Sequence, residues 1–154
     1  MQGEQGDPGA QGQKGDQGDP GAIEASQIAA RITGLPTTPG TVYGSPSGIS
    51  VAMVAPEANV VTLSPNADIV VSGLSVSLDV APGSTTVRKF TLRDDFGDTS
   101  PIVSCMISGT DTACDSGGAS ATIAAGSKLA IKIDTTVGTA AAAVARIGYG
   151  ATSP

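Results

Sequence analysis

The sequence predicts a homotrimer in which a triple-helical stalk and a short helical neck precede an all-β head, an antiparallel β-sandwich of the jelly-roll type. Three observations predict this architecture. Glycine recurs at every third position near the start, an apolar 3-4-3 spacing follows, and the rest of the chain consists of short β-branched runs separated by Pro and Gly. We therefore divide the chain into a stalk (1–22), a neck (23–36), an extended linker (37–48) and a head (49–154).

The stalk prediction depends on seven glycines in unbroken register. They are Gly3, Gly6, Gly9, Gly12, Gly15, Gly18 and Gly21. Three polyproline-II chains wound around one axis leave room there only for a residue without a Cβ, so this collagen-like Gly-X-Y period has a steric cause. A flexible Gly-rich linker is the alternative, but a linker has no reason to hold glycine in register. Because only Pro8 and Pro20 supply imino acids, we expect a stalk that is weak alone and is held together by elements downstream.

The neck prediction comes from the segment AIEASQIAARITGL, residues 22–35. Its apolar positions follow a heptad spacing and are Ala25, Ile28, Ile32 and Leu35. Isoleucine at both core positions of a coiled coil favours trimers, and Gly34 followed by Pro36 is a typical helix end. The alternative is a short amphipathic helix packed on its own domain. We favour a three-helix neck that couples the stalk to the head.

The predicted head begins after a linker rich in Pro, Gly, Thr and Ser, a composition that is typical of an extended connection with turns. Strands are expected at 49–54, 59–64, 68–72, 74–80, 85–93, 101–108, 120–124, 128–134 and 140–150. The alternation of apolar and polar residues in LSVSLDV (74–80) is typical of a half-buried strand. Eight or nine strands with turn signals every 8 to 12 residues or so predict the sandwich.

The composition excludes several classes of function. The chain has no His, and its net charge is −6, so it lacks imidazole for catalysis or metal binding and has no excess of cations for nucleic acid. Ser116 is the nearest approach to a nucleophile, but no imidazole can deprotonate it. We expect no enzyme activity and no cofactor. Since no apolar run reaches a membrane-spanning length, we also expect no membrane insertion. Because residues 1–22 lack the features of a signal peptide, we expect the protein to be released from a bacterium by lysis.

Two groups of residues invite a chemical interpretation. Cys105 and Cys114 flank a polar segment, which predicts a hairpin disulfide and an oxidising destination, with two buried thiols as the alternative. Asp94, Asp95 and Asp98 could offer oxygen ligands to Ca²⁺. A polar hairpin turn explains these three aspartates better, since Asp and Gly are the residues such turns require.

A strict Gly repeat, a short neck and an all-β C-terminal domain together resemble the collagen-stalked trimeric jelly-roll proteins of the complement and tumour-necrosis-factor-like superfamily. Residues 87–133 more closely resemble the small heads that follow collagen repeats in phage tail or fibre proteins and in bacterial collagen-like surface proteins. The residues that carry this likeness are Thr91-Leu92-Arg93, Cys105 with Cys114, and Ala124-Ala125-Gly126-Ser127.

The resemblance implies a structural, non-enzymatic fibre, expected as a minor tail or fibre protein of an extracellular phage virion. Its expected partners are two further copies of itself and other virion proteins. Three heads on one stalk would allow multivalent adhesion to a host receptor or glycan, for which the loops 94–98 and 110–118 are candidates. The alternatives are a bacterial surface or exosporium-type adhesin and a purely decorative virion protein.

Overall fold

A computed structural model describes residues 26–54, 56–95, 101–136 and 138–154, with only the backbone at 101 and 102. The prediction of an all-β head is confirmed: within this part of the chain there are eleven strands and no α-helix. The seven glycines of the repeat lie outside the described residues, as do Ala25 and Asp98.

The strands are numbered in chain order. They are β1 (Ser26–Leu35), β2 (Gly40–Gly44), β3 (Gly48–Val51), β4 (Thr62–Leu63), β5 (Ile69–Leu78), β6 (Gly83–Asp94), β7 (Pro101–Gly109), β8 (Ala113–Asp115), β9 (Ser120–Ile123), β10 (Lys128–Thr136) and β11 (Ala143–Thr152). A 3-10 turn covers Glu57–Asn59.

Two sheets contain all of these strands. The six-stranded sheet has the order β3-β1-β11-β5, and both β8 and β9 pair with β5; the five-stranded sheet has the order β2-β10-β6-β7, with β4 on β10. Every pairing is antiparallel except that of β1 with β3. The topology is simpler when β3 and β4 are left out and β8 and β9 are counted as one strand. The eight strands that remain, numbered 1 to 8 along the chain, have the order 1-8-3-6 in the six-stranded sheet and 2-7-4-5 in the five-stranded sheet.

Side chains that alternate along the strands fill one core between the two sheets. Ile32, Val71 and Ile147 enter it from the six-stranded sheet, and Phe90 and Ile131 enter it from the five-stranded sheet. A strand turns alternate side chains to one face, so each sheet contributes every second residue to this core. The remaining residues form two outer faces.

The prediction of a helical neck is wrong for residues 26–35, which form strand β1. Ile28 and Ile32 are four apart, a spacing that puts two side chains on one face of a helix and equally on one face of a strand. The register of β1 shifts between Ile32 and Leu35, where Gly34 has φ 71°, and this shift returns Leu35 to the buried side. Ile32 and Leu35 therefore fill the core of their own sandwich and cannot form a coiled-coil seam.

The prediction of an extended linker over 37–48 is also wrong in part, because β2 lies within it and pairs with β10. The head therefore begins at or before Ser26, whereas the sequence predicted residue 49. The runs 68–72 and 74–80 form one strand, β5, and the predicted strand 59–64 shrinks to the two residues of β4 after the 3-10 turn.

The sandwich has two ends. At the first, which we call the entry end, Ser26 pairs with Ala151. The loop from Ile123 to Lys128 and the end of β6 at Asp94, which pairs with Leu129, lie at the same end. At the second, the distal end, β1 leads into β2, β5 into β6, β7 into β8 and β10 into β11. The distal loops are 36–39, 79–82, 110–112 and, within the described residues, 138–142.

Candidate functional site

The outer face of the six-stranded sheet carries mostly small side chains. Two rows of register partners cross it. The first row consists of Ile49, Arg31, Arg146, Ser77 and Ala113. The second consists of Ala29, Gly148, Ser75 and Asp115. Apart from Arg31, Arg146 and the residues on its edge strands, this face offers little more than backbone, so another chain could approach it closely.

Three shallow grooves lie along this same face. The largest, of about 580 Å³, runs from Gln27 and Arg146 to Asp115. A second, of about 370 Å³, lies beside Ser72 and Gly150 nearer the entry end, and a third, of about 410 Å³, lies between Arg31 and Ile49. The grooves thus extend over most of the width of the sheet.

The charges on this face are separated. Arg31 and Arg146 are exposed and lie directly opposite each other on β1 and β11. Like charges in this arrangement repel, and neither arginine forms an ion pair with a described residue. Asp115 is exposed on β8 at the far margin, with Asp111 in the loop before it. The face is therefore basic from the edge strand β3 to the central strand β11, a part that we call the basic margin, and acidic at the opposite edge on β8, the acidic margin. The serines of β5 and the glycines of β11 form a neutral trough between the two.

The basic margin also exposes large apolar side chains. Ile49 is 76% exposed and Val51 63% exposed, and both lie on β3 at the edge of the sheet. Ile49 lies beside Arg31, its register partner. Apolar side chains grouped with uncompensated cations are typical of a surface that contacts another macromolecule.

Cys105 and Cys114 form a disulfide that joins the two sheets. Cys105 lies on β7 of the five-stranded sheet and Cys114 on β8 of the six-stranded sheet, with their Cα atoms 5.7 Å apart. The bridge therefore differs from the predicted hairpin bridge, because β7 and β8 belong to different sheets. It closes the sandwich at one edge.

Asp95, one of the aspartates considered for Ca²⁺, has a structural role. The amide of Asp95 donates to the carbonyl of Lys128 at 2.8 Å, and its Oδ1 accepts from the amide of Lys128 at 3.0 Å. Asp95 has φ 44°, a left-handed conformation that Asp tolerates better than most residues. Asp98 lies outside the described residues, within which no group of three or more potential ligands comes together.

Ser116 lies in the turn between β8 and β9. Oδ1 of the neighbouring Asp115 accepts a hydrogen bond from the amide of Gly117 at 2.8 Å, the pattern of a side chain that stabilises a turn. The Oγ of Ser116 is buried and has no hydrogen-bond partner among the described residues. Asp115 thus supports the turn, and the expectation of no enzyme activity stays a prediction.

A buried arginine lies near the distal end of the sandwich. Arg88 on β6 is fully buried, and its Nη2 donates to the carbonyl oxygens of Pro36 and Ala141, each at 2.7 Å. Burial lowers the pKa of this guanidinium from its usual value, and the charge of Asp79 opposes that shift. Arg88 thereby ties two distal loops to the five-stranded sheet.

The two candidate receptor loops lie at different places. The loop that begins at Asp94 and Asp95 is at the entry end, near Lys128 and the beginning of β1, and its Phe96 lies outside the described residues. Residues 110–112 lie at the distal end, and 116–119 lie partway along β5, because Asp115 pairs with Ser75. Only the loop that begins at Thr110 could therefore contribute to a distal tip.

The outer face of the six-stranded sheet was not predicted from the sequence. Its signal was present in the last strand, where Val144, Arg146, Gly148 and Gly150 alternate with buried residues. Finding it also required the order of the strands, since its two margins come from β3 and β8.

No helix of the described residues is long and apolar enough to cross a membrane. Comparison with the models of known protein families, with curated proteins and with solved structures gives no match for this chain. The interpretation of the outer face therefore depends on its own chemistry and on the glycine repeat.

Proposed function

We propose that this protein is a non-enzymatic homotrimeric fibre with a collagen-like stalk over residues 1–22 and a jelly-roll head. The observation that carries the proposal is the unbroken glycine register from Gly3 to Gly21. Such a register has a physical purpose only where three chains share an axis.

The strand order supports the jelly-roll part of the proposal. A jelly roll is an eight-stranded antiparallel sandwich made of two Greek keys. The orders 1-8-3-6 and 2-7-4-5 place the first strand beside the last in one sheet, and the second beside the seventh in the other. Folding one long antiparallel ribbon over itself produces this arrangement.

We propose a phage virion as the setting, with the protein as a minor tail or fibre component beside other virion proteins. The likeness of residues 87–133 to heads of that class supports this assignment, and so does the inter-sheet disulfide, which suits an extracellular particle. The alternative setting is a bacterial surface or exosporium-type filament, for which the same two observations hold.

Adhesion would use the distal loops, because the entry end leads towards the stalk. Those loops contain no aromatic residue within the described residues 36–39, 79–82, 110–112 and 138–142. Aromatic side chains dominate tight interfaces, so each head would bind a host receptor or glycan weakly and depend on trimer avidity. The same observation favours a second candidate function, a decorative virion protein without a receptor.

Light scattering of the full chain tests the trimer, and adsorption tests the adhesion. We expect a mass three times that of the chain at micromolar concentration, together with a circular-dichroism signal of the triple helix that melts on heating. A monomeric mass would overturn the proposal.

For adhesion, an excess of purified trimer should slow adsorption of the parent particle to its host. A variant with Asp111→Ala and Thr112→Ala should compete less well, whereas Asp95→Ala at the entry end should compete as the wild type does. If neither wild type nor variant competes, the decorative function is favoured.

A further inference from the structure

We infer that the outer face of the six-stranded sheet is the surface by which the three heads contact one another, with the basic margin of each copy against the acidic margin of the next. The basic margin consists of Arg31, Arg146, Ile49 and Val51, and the acidic margin of Asp115. The inference rests on the trimer proposed above and identifies the contact that the heads make.

The distance between the repeat and the first strand brings this sheet to the axis. Gly21, the last glycine of the register, would lie at the shared axis, and Ser26 follows five residues later. Five extended residues span at most about 18 Å, so two copies of Ser26 lie within about 35 Å of each other. That distance is about the diameter of a domain of this size, so the heads are held close enough to touch.

The sheet that begins at Ser26 is the six-stranded one. Its inner face is covered by the core, which leaves its outer face as its one large free surface. The five-stranded sheet begins only at Gly40, after the chain has run the full length of β1 to the distal end. Of the two outer faces of the sandwich, that of the six-stranded sheet is therefore the one that includes the point of attachment.

The symmetry of a trimer requires two different patches in contact. A threefold ring closes through a heterologous interface, in which one surface of a copy meets a different surface of its neighbour. The two margins of this face meet that requirement, since one has two cations and two exposed apolar side chains and the other has the carboxylate of Asp115. A twofold contact could pair the same two margins reciprocally, so the choice of a threefold ring depends on the glycine register.

The repulsion between Arg31 and Arg146 within one chain also indicates a partner with negative charge. Arg31 and Arg146 lie side by side with no acidic partner among the described residues, and Asp115 lies two strands beyond Arg146. A carboxylate from a neighbouring copy would relieve the repulsion between the two arginines. The serine and glycine trough between the margins lets the neighbouring backbone approach closely enough for this contact.

Charge reversal in the full chain tests the pairing. Arg31→Glu and Asp115→Lys should each raise the protein concentration at which half of the trimer dissociates by about tenfold or more, and the double variant should restore much of the loss. Lys89→Glu makes the same change of charge on the outer face of the other sheet and should leave that concentration unchanged.

A cysteine pair provides a second test that does not depend on how strongly the stalk holds the chains together. Arg31→Cys with Asp115→Cys should give a covalent trimer on a non-reducing gel after oxidation. Within one chain these positions are three strand spacings apart, about 14 Å, too far for a disulfide. Each single variant should give no covalent trimer.

The outcomes separate the two proposals. A monomeric wild type would overturn the trimer itself and this inference with it. A trimeric wild type would overturn this inference alone if neither charge variant changes dissociation and the cysteine pair stays uncrosslinked. Covalent trimers from the pair, together with restoration by the double charge variant, would support it.

Discussion

Arg88 shows how one side chain can hold a loop-rich end of a sandwich together. Its guanidinium has left water completely, which is costly, and in exchange it binds the carbonyls of Pro36 and Ala141 on two different loops. Hydrogen bonds from a charged donor are each stronger than neutral ones. The order of the distal end therefore depends on a residue in the middle of β6.

We expect Arg88→Ala to lower the free energy of unfolding by about 3 to 5 kcal/mol, because it leaves a cavity and removes the donor from both carbonyls. Arg88→Met should cost less, since it fills the space without a charge. Urea unfolding measures both. A methionine variant as stable as the wild type would mean that the desolvation of the guanidinium cancels what its two hydrogen bonds contribute.

Tyr149 makes the head sensitive to alkali. It is 2% exposed, and burial raises its pKa to about 12. The folded state holds this proton more tightly than the unfolded state, in which the pKa is about 10. The contribution to stability is therefore complete below pH 10 and is lost as the pH rises towards 12, at a cost of roughly 3 kcal/mol.

Absorbance at 295 nm tests this directly, because the chain has only two tyrosines. In a Tyr43→Phe variant the remaining phenol should titrate near pH 12 in the folded protein and near pH 10 in urea. Tyr149→Phe should lose less stability than the wild type between pH 10 and 12. Titration of Tyr149 near pH 10 in the folded state would contradict the prediction.

Strand β1 shows which elements the sequence could predict. Most of the long strands β5, β6 and β10 was predictable, because each contains a short stretch in which apolar and polar residues alternate, such as Leu74 to Leu78 in β5. In β1 the alternation is hidden by alanine on both faces, and the four-residue spacing of its isoleucines fits helix and strand equally. Only pairing with β3 and β11 decides between them, and that pairing is not local.

The candidate surface could not be predicted for a related reason. Each residue of the outer face is small or polar and looks like an ordinary exposed position in its own strand. Arg31 and Arg146 become a pair only in the register of β1 with β11, although they are 115 positions apart in sequence (146 − 31). Composition and periodicity contain no information about such a partner.

Strands β1 and β2 belong to opposite sheets and touch through the core at Gly44. A Cβ on Gly44 would overlap Cδ1 of the buried Ile32 and would lie 2.8 Å from its Cγ1. We expect Gly44→Ala to cost about 1 to 3 kcal/mol through overpacking. Ile32→Val removes Cδ1, the atom nearest to the added Cβ. In thermal unfolding, the double variant should therefore lose less stability than the sum of the losses in the two single variants. Simple additivity would contradict this packing.

The disulfide connects two elements that no hydrogen-bonded ladder joins. Cys105→Ala with Cys114→Ala should lower the free energy of unfolding by about 3 kcal/mol, the chain-entropy value for a loop of this length. Because β8 is only three residues long and lies at the edge of its sheet, hydrogen exchange should increase there first. Equal protection of β8 in the wild type and the variant would show that pairing with β5 suffices.

At the scale of the whole molecule, the stalk and the heads divide the work of assembly. A stalk with two prolines in its repeat region contributes little stability, and the proposed contact between heads supplies the rest. Deletion of residues 1–21 should therefore leave a trimer that dissociates at higher concentration than the full chain, as light scattering across a dilution series would measure. Complete dissociation at all concentrations would mean that the stalk alone organises the trimer.

The placement of β1 determines how the head bears mechanical load. Tension on the chain before Ser26 acts along the length of β1, which is bonded on one side to β11 and on the other to β3. A strand pulled lengthwise must break the hydrogen bonds of both ladders together, whereas a strand peeled from its end loses them one at a time. Pulling between Ser26 and the distal loop 79–82 should therefore need more force than pulling between Ser26 and Thr152, which lie at the same end and let β1 and β11 peel apart.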